Sequence, residues 1–150
     1  MKVTPQRLFR RVAVAEAITW ALLLTGMFLK YVTETTDLGV RVFGMVHGVV
    51  FIAYCLAVVV VAIDQRWTVL RSFVGLAAAV PPFATVPFDL AMEKRGAFGD
   101  WRLLDGESSA PLDRPVSWLL RKPAQGALAA VVVVAALTGL ALLVGPPVGG

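Results

Sequence analysis

The feature that most constrains this chain is an apolar run without formal charge, from residue 42 to residue 63. At ~1.5 Å per residue, a helix of that length crosses the ~30 Å hydrocarbon core of a bilayer. The run also contains His47 beside Gly48, about one turn inside its start. An imidazole is costly in lipid, so His47 is the sharpest functional candidate in the segment. The pattern predicts a membrane helix with a buried polar residue.

Composition restricts the protein to a small helical membrane bundle. Of the 150 residues, 58% are hydrophobic and only 16% are charged, which is too few charges to cover a soluble globule. The basic residues flank apolar segments, so we interpret them as topology signals and lipid contacts, and we expect no nucleic-acid partner. The basic start resembles a signal peptide, but Glu16, the segment length and the lack of a clear cleavage site favour a retained anchor. Cys55, the single cysteine, has no disulfide or metal spacing, and no cofactor or metal is expected.

Three apolar segments form the predicted core. Segments one and two, residues 12–29 and 42–63, are joined by a short polar connection and should pair as antiparallel neighbours. Segment three, residues 72–92, contains Pro81 and Pro82, which must kink or break its helix. Freed carbonyl groups in a membrane need partners, so these prolines are expected to face inward.

The remainder of the chain is predicted to add a polar loop and a fourth spanning helix. Residues 93–123 are mixed in charge and contain breakers, with one short interfacial helix expected around 116–122. Segment four, residues 124–144, is uncharged and rich in alanine and valine. We therefore predict an all-α fold, an integral membrane helical bundle with a three-helix core in 1–95, a polar, partly interfacial loop in 96–123, and a fourth transmembrane helix with a short tail in 124–150.

Two rules disagree on the topology. The basic residues before segment one and after segment two predict a cytoplasmic N-terminus in the inner (plasma) membrane. Four full spans then leave six basic residues inside and eight outside, whereas a re-entrant segment three gives twelve inside and two outside. We favour four spans because segment three has full spanning length and the acids of the following loop nearly neutralise it. The re-entrant hairpin is the alternative.

Three ionisable residues inside the segments are candidates for function. With four spans, Asp89 falls at nearly the depth of His47, so these two form the best candidate pair for a proton relay or a plain buried hydrogen bond; the alternative is an Asp89 solvated at the interface. Glu16 should lie nearer the cytoplasmic face, half a membrane from His47. Its expected partners are basic residues on that side: Arg10, Arg11, Arg66 and Arg71.

Other positions are predicted to pack helices or to anchor them. Gly44 and Gly48 give one face of segment two a small surface on which a neighbouring backbone can lie. Arg66 and Trp67 follow the end of that segment, and we expect Trp67 to rest among the lipid headgroups.

The chain from Arg7 to about Lys94 resembles the YdzA-like family of small bacterial integral membrane proteins. The resemblance is carried by FRRVAVAEAITW, GMVHGVVFIAY, the following QRW and the PPF of segment three. Its most specific element is GxxHGxxF at Gly44, His47, Gly48 and Phe51. The resemblance implies a His-Gly motif in the second of three core helices, with segment four outside the match, and it brings no established activity.

Three functional hypotheses remain open. The first is a non-enzymatic protein that packs against itself or a larger membrane complex, because the chain is small and has no complete catalytic set. The second is a small proton-linked transporter or channel using His47, Asp89 and Glu16 beside the broken third helix. The third is a membrane enzyme or redox subunit, which needs a second ligand for His47 from another chain.

Overall fold

The computed structural model describes residues 3–106 and 108–145 and shows an all-helical bundle. Its helices are α1 (Pro5–Tyr31), α2 (Leu38–Asp64), α3 (Val69–Ala77), α4 (Thr85–Lys94), α5 (Asp113–Arg121) and α6 (Pro123–Val144). A short 3₁₀ turn, Arg102–Leu104, lies between α4 and α5. Within the described residues, α1, α2 and α6 are long and apolar enough to cross a membrane. The predicted fold class, an all-α membrane bundle, is confirmed.

The first helix begins earlier than its apolar segment. Thr4 caps α1 by accepting a hydrogen bond from the Arg7 backbone N–H at 3.2 Å. Pro5 occupies the first turn, where its missing N–H and fixed φ cost nothing. The basic residues that follow therefore belong to the helix. As a result, Glu16 lies near the middle of α1.

Helices α1 and α2 pack antiparallel along their full length. At one end Phe9 stacks near Tyr54, with ring centroids 5.6 Å apart. At the other end Gly26 and Gly39 bring the two backbones together, and a Cβ built on Gly26 would lie 2.6 Å from the Gly39 carbonyl carbon. The predicted antiparallel pairing is thus observed, with a closer helix approach than Gly44 or Gly48 provides.

Segment three differs from the favoured prediction of a single full-length span. It forms two short helices, α3 and α4, separated by the turn 78–84 that contains Pro81 and Pro82. Pro87 lies in the first turn of α4, where its absent N–H is tolerated, so the break falls at the proline pair instead. Pro81 and Pro82 are exposed, so the prediction that they face inward is wrong. Two carbonyls of the turn accept hydrogen bonds: Ala79 O from Trp20 Nε1 at 3.3 Å, and Pro81 O from the Ala84 N–H at 3.3 Å.

The chain reverses direction between the two short helices, so that they form a hairpin in which α3 packs on α2 and α4 packs on α1. The Phe88 ring lies against Gly75, although thirteen residues of continuous helix would separate them by ~20 Å. At the open end of the hairpin, Trp67 Nε1 donates to Ala97 O at 3.0 Å. The re-entrant alternative therefore describes segment three, and α4 ends beside the start of α1.

This arrangement collects the basic residues at one end of the bundle, which we call the basic end. Here α1, α3 and α6 begin and α2 and α4 end, and residues 95–106 and 108–122 pack against them. Among the described lysines and arginines, only Lys30 and Arg41 lie at the opposite end. The reversal of the chain in the hairpin places the end of α4 beside the start of α1, where Gln6 donates to Glu93.

An aromatic core fixes the basic end. Phe9 is fully buried and contacts four rings at centroid distances between 5.4 and 6.0 Å: Tyr54, Trp67, Phe88 and Phe98. Trp67 is only 8% exposed, so the prediction that it rests among lipid headgroups is wrong. Its indole joins α2, the hairpin and residues 97–98. Arg66 stays exposed and donates to Ser109 Oγ at 2.8 Å.

The segment from 96 to 123 is anchored by two buried carboxylates rather than lying loosely on the surface. Asp64, at the end of α2, accepts the backbone N–H of Leu103 at 3.0 Å. Asp113 accepts the N–H groups of Ser109 and Ala110 at 3.0 and 3.1 Å, which hold the pKa of its carboxyl below the usual range. The expected short helix is present as α5. Helix α6 then packs on α2 and α5, with most of its apolar side chains exposed.

Candidate functional site

Polar side chains form two groups, an outer and an inner one, along the interface between α1 and the hairpin, and we call them together the polar seam. It starts at the basic end and stops at His47 in the middle of the bundle. From α1 it takes Gln6, Arg10, Glu16 and Thr19; from α4 it takes Glu93, Asp89 and Thr85; and α2 contributes His47. The members of α4 recur every four residues, so they share one helix face.

The outer part of the polar seam is a charge cluster. Arg10 bridges Asp89 through Nε and Glu93 through Nη2. Gln6 Nε2 also donates to Glu93 Oε1 at 2.6 Å. Arg10 holds the pKa of the Glu93 carboxyl below its usual value by stabilising the charged form. The cluster ties the end of α4 to the start of α1.

Asp89 is buried within this cluster and does not meet His47. Its exposed fraction is 1%, and Arg10 is its partner. Arg10 and Thr19, which contacts His47, are nine residues apart on α1, or ~13 Å along the axis. The predicted pairing of His47 with Asp89 is therefore wrong, because it assumed that segment three crosses the membrane.

Arg10 to leucine should destabilise the protein by about 2 kcal/mol, because Asp89 would remain buried without its partner. The effect should fall short of that for a fully buried pair since the Arg10 side chain is 40% exposed. Chemical unfolding in mixed micelles measures the change. Arg11 to leucine is the matched control, because Arg11 is an exposed neighbour on the same helix. Equal losses in both variants would contradict this assignment.

The inner part of the polar seam contains Glu16, Thr85, Thr19 and His47. Glu16 is fully buried, and its Oε2 lies 2.8 Å from Thr85 Oγ1 at the start of α4. Its other oxygen, Oε1, is buried without a hydrogen-bond partner. The predicted arginine partners are not near enough to pair with Glu16, and that expectation is wrong. Thr85 is the partner of Glu16 instead, because the hairpin places the first turn of α4 beside Glu16.

His47 is 8% exposed and is held from two sides by α1. Its Nδ1 lies 2.9 Å from Thr19 Oγ1, and Thr19 donates to the Glu16 backbone carbonyl at 2.9 Å. Since a hydroxyl carries one proton, this arrangement favours the Nδ1–H tautomer of His47. The Trp20 ring covers the imidazole with a centroid distance of 4.6 Å. Glu16 and His47 are therefore neighbours through Thr19, and the predicted separation of half a membrane is wrong.

Among the residues that the structure describes, the glycines proposed as a packing motif have no close partner. A Cβ on Gly48 would meet nothing within 4 Å, and one on Gly44 would meet only Leu23 at 3.8 Å. Within residues 3–106 and 108–145, no group of three or more His, Cys, Asp and Glu side chains is placed to hold a metal ion. The inner part of the polar seam contains two buried titratable groups, Glu16 and His47, that can hold protons.

Sequence reasoning missed the threonines and Asp64. Thr19 and Thr85 are ordinary residues in apolar helices, so neither stands out until the hairpin aligns them with Glu16. One signal for Asp64 was available in the sequence: it is an acidic residue that directly follows the apolar run 42–63.

Comparisons with known proteins place this unit. Residues 6–94 match the family described as Domain of unknown function (DUF3817), which covers α1 to α4. A protein of Streptomyces coelicolor, whose name describes it as a proposed membrane protein, is 50% identical over 91 residues. The match covers 60% of this chain but 11% of the relative. No solved structure matches the chain. The protein is a multi-pass helical membrane protein, and it belongs to the DUF3817 family.

Proposed function

We propose that this protein is a non-enzymatic accessory component of a larger membrane assembly. The observation that carries the proposal is the Streptomyces coelicolor relative, in which the matching unit makes up 11% of the chain. A unit joined covalently to a larger chain is held at high effective concentration beside it. The same unit in this chain therefore suits a position beside a larger membrane partner.

The surfaces for such a neighbour are the small-residue faces of α2 and α6. Gly48 and Gly139 have open space beside them, which lets another helix approach closely. Around Gly139, α6 exposes large apolar side chains, including Leu128 at 65%, Val131 at 64% and Leu140 at 57%. Lipid or another helix can cover this face. The partner is either a second copy or a larger membrane protein.

Native gel analysis of the full-length chain, extracted with a mild detergent from the cells that produce it, tests the proposal. We expect a complex well above the 16.0 kDa chain, and a shift to monomer size for Gly48→Leu or Gly139→Leu. Val14→Leu is the control, because it changes an exposed apolar position of α1. Two differently tagged copies that co-purify would identify a homo-oligomer. A monomer in every version would contradict the proposal.

We propose further that the N-terminus lies in the cytoplasm and the protein in the plasma membrane. The support is the charge distribution, since the hairpin gives twelve basic residues on the side of the N-terminus and two on the other. Four spans violated this rule, so the hairpin removes the conflict between segment length and charge.

The YdzA-like resemblance belongs to the same proposal. Its GxxHGxxF element contains His47, which the structure places against Thr19 and Trp20. We infer that the histidine of this element serves to join α2 to α1 through these two contacts.

Proton-linked transport is the second candidate, favoured by the fully buried Glu16 at the inner part of the polar seam. The full-length protein in liposomes with an imposed pH gradient and an internal pH-sensitive dye provides the test. We expect proton entry above that of empty liposomes, its loss in His47→Ala and its retention in Met45→Ala, an exposed change on the same helix. Entry retained in His47→Ala would contradict a relay through this residue.

A further inference from the structure

The hydroxyl of Thr85 faces two oxygen atoms at hydrogen-bond distance. Its Oγ1 lies 3.0 Å from the carbonyl oxygen of Ala13 and 2.8 Å from Oε2 of Glu16. A hydroxyl has one proton to donate, and a carbonyl oxygen can only accept. If Thr85 donates to Ala13, the proton between Thr85 and Glu16 has to come from Glu16.

The surroundings of Glu16 also favour its protonated, neutral form. The residue has no exposed surface, and Oε1 has no hydrogen-bond partner. An ionised carboxylate there would be a buried anion that faces one hydrogen-bonding hydroxyl, that of Thr85, with the Trp20 indole N–H also near it. Two neutral donors do not offset a buried charge, which is costly in protein and more so in a membrane. A neutral carboxylic acid avoids that cost and uses Thr85 as its acceptor.

The other titratable groups around Glu16 do not neutralise a negative charge. From α2 they are Tyr54 and Cys55, with His47 reached through Thr19. From α4 the group is Asp89, which faces Arg10. Arg10 is six residues from Glu16 on α1, or ~9 Å along the axis, and is bound to Asp89 and Glu93.

We propose that Glu16 is a proton-binding site that joins α1 to the hairpin. Its carboxylic acid donates to Thr85, and Thr85 donates to the Ala13 carbonyl. The site is loaded when the Glu16 carboxylate takes a proton from a hydronium ion, which leaves as water. When the proton leaves, the single Thr85 hydroxyl proton can bond either to the Glu16 carboxylate or to the Ala13 carbonyl. One of the two hydrogen bonds between the hairpin and α1 is then lost, and the hairpin loosens from α1. The ligand is the proton alone, and the site is independent of the accessory role.

Infrared spectroscopy of the full-length protein in lipid nanodiscs tests this site. We expect a carbonyl stretching band of a protonated carboxyl group at pH 7, shifted in heavy water. Glu16→Gln should remove the band, and Thr85→Val should shift it because the acid loses its acceptor. Glu93→Gln should leave it unchanged, since Glu93 is an exposed carboxylate bound to Arg10.

The design separates the alternatives. Glutamine has the shape of the acid and can also donate to Thr85, so Glu16→Gln should keep the melting temperature of the unaltered protein. A band that survives in Glu16→Gln but is lost in Asp89→Asn would assign the proton to Asp89 and overturn the proposal. Only ionised carboxylate bands at pH 7 would overturn it too. Neither result bears on assembly with a partner.

Discussion

Replacing Phe9 by alanine is expected to destabilise the protein by about 3–5 kcal/mol, the largest effect of any single change considered. Phe9 is fully buried and lies among rings from α2, α4 and the segment after α4. Its removal leaves a cavity at the basic end, where α1, α2 and the hairpin pack together. Chemical unfolding in mixed micelles measures the loss.

Phe28→Ala is the matched control, since Phe28 is on the same helix and 54% exposed. It should change the unfolding free energy by less than about 1 kcal/mol. Protease cleavage of the hairpin should increase in Phe9→Ala and not in the control. Equal unfolding free energies for the two variants would show that Phe9 is not in the core.

Gly26→Ala is expected to cost about 3 kcal/mol, because its new Cβ would press on the Gly39 backbone and not on a side chain that can turn away. Alanine has the better helix propensity by about 1 kcal/mol, so the observed loss is what remains after that gain. Chemical unfolding in mixed micelles measures the loss of unfolding free energy. The yield of crosslinks between α1 and α2 at the end where Gly26 and Gly39 meet should also fall.

Gly48→Ala makes the same chemical change on α2 with nothing within 4 Å of the new atom. It should be neutral or stabilising in the isolated protein. If Gly26→Ala is equally well tolerated, the two helices do not approach as closely as described.

The sequence predicted the long helices well because each one follows from local composition. A run such as 42–63 can satisfy its backbone in lipid only as a helix. The proline pair also predicted a break in segment three. It did not predict the direction of the chain after the break, because a broken span and a hairpin have the same local pattern. Charge favoured the hairpin and length favoured the span, and in this chain the charge signal was the better one.

The candidate site was predicted in part. His47 and Glu16 stood out because ionisable groups are rare in apolar helices. Their relation could not be read from the sequence, since it depends on where each helix starts: α1 and α2 both extend beyond their apolar segments, and this brings Glu16 and His47 to neighbouring levels. Asp89 was predicted at the depth of His47 because segment three was expected to cross the membrane and not to form a hairpin. Thr85 acquires its role only from the fold.

After the hairpin the chain returns to the basic end, and cysteine accessibility in intact cells tests this topology. Single cysteines replace Val3, Thr36 and Asp105, all exposed, in a Cys55→Ser background, and a membrane-impermeant reagent labels them before and after permeabilisation. The account predicts that positions 3 and 105 behave alike and that position 36 behaves oppositely, whichever side faces the reagent. If position 105 is labelled under the same conditions as position 36, segment three crosses the membrane. The polar seam between α1 and α4 would then not exist.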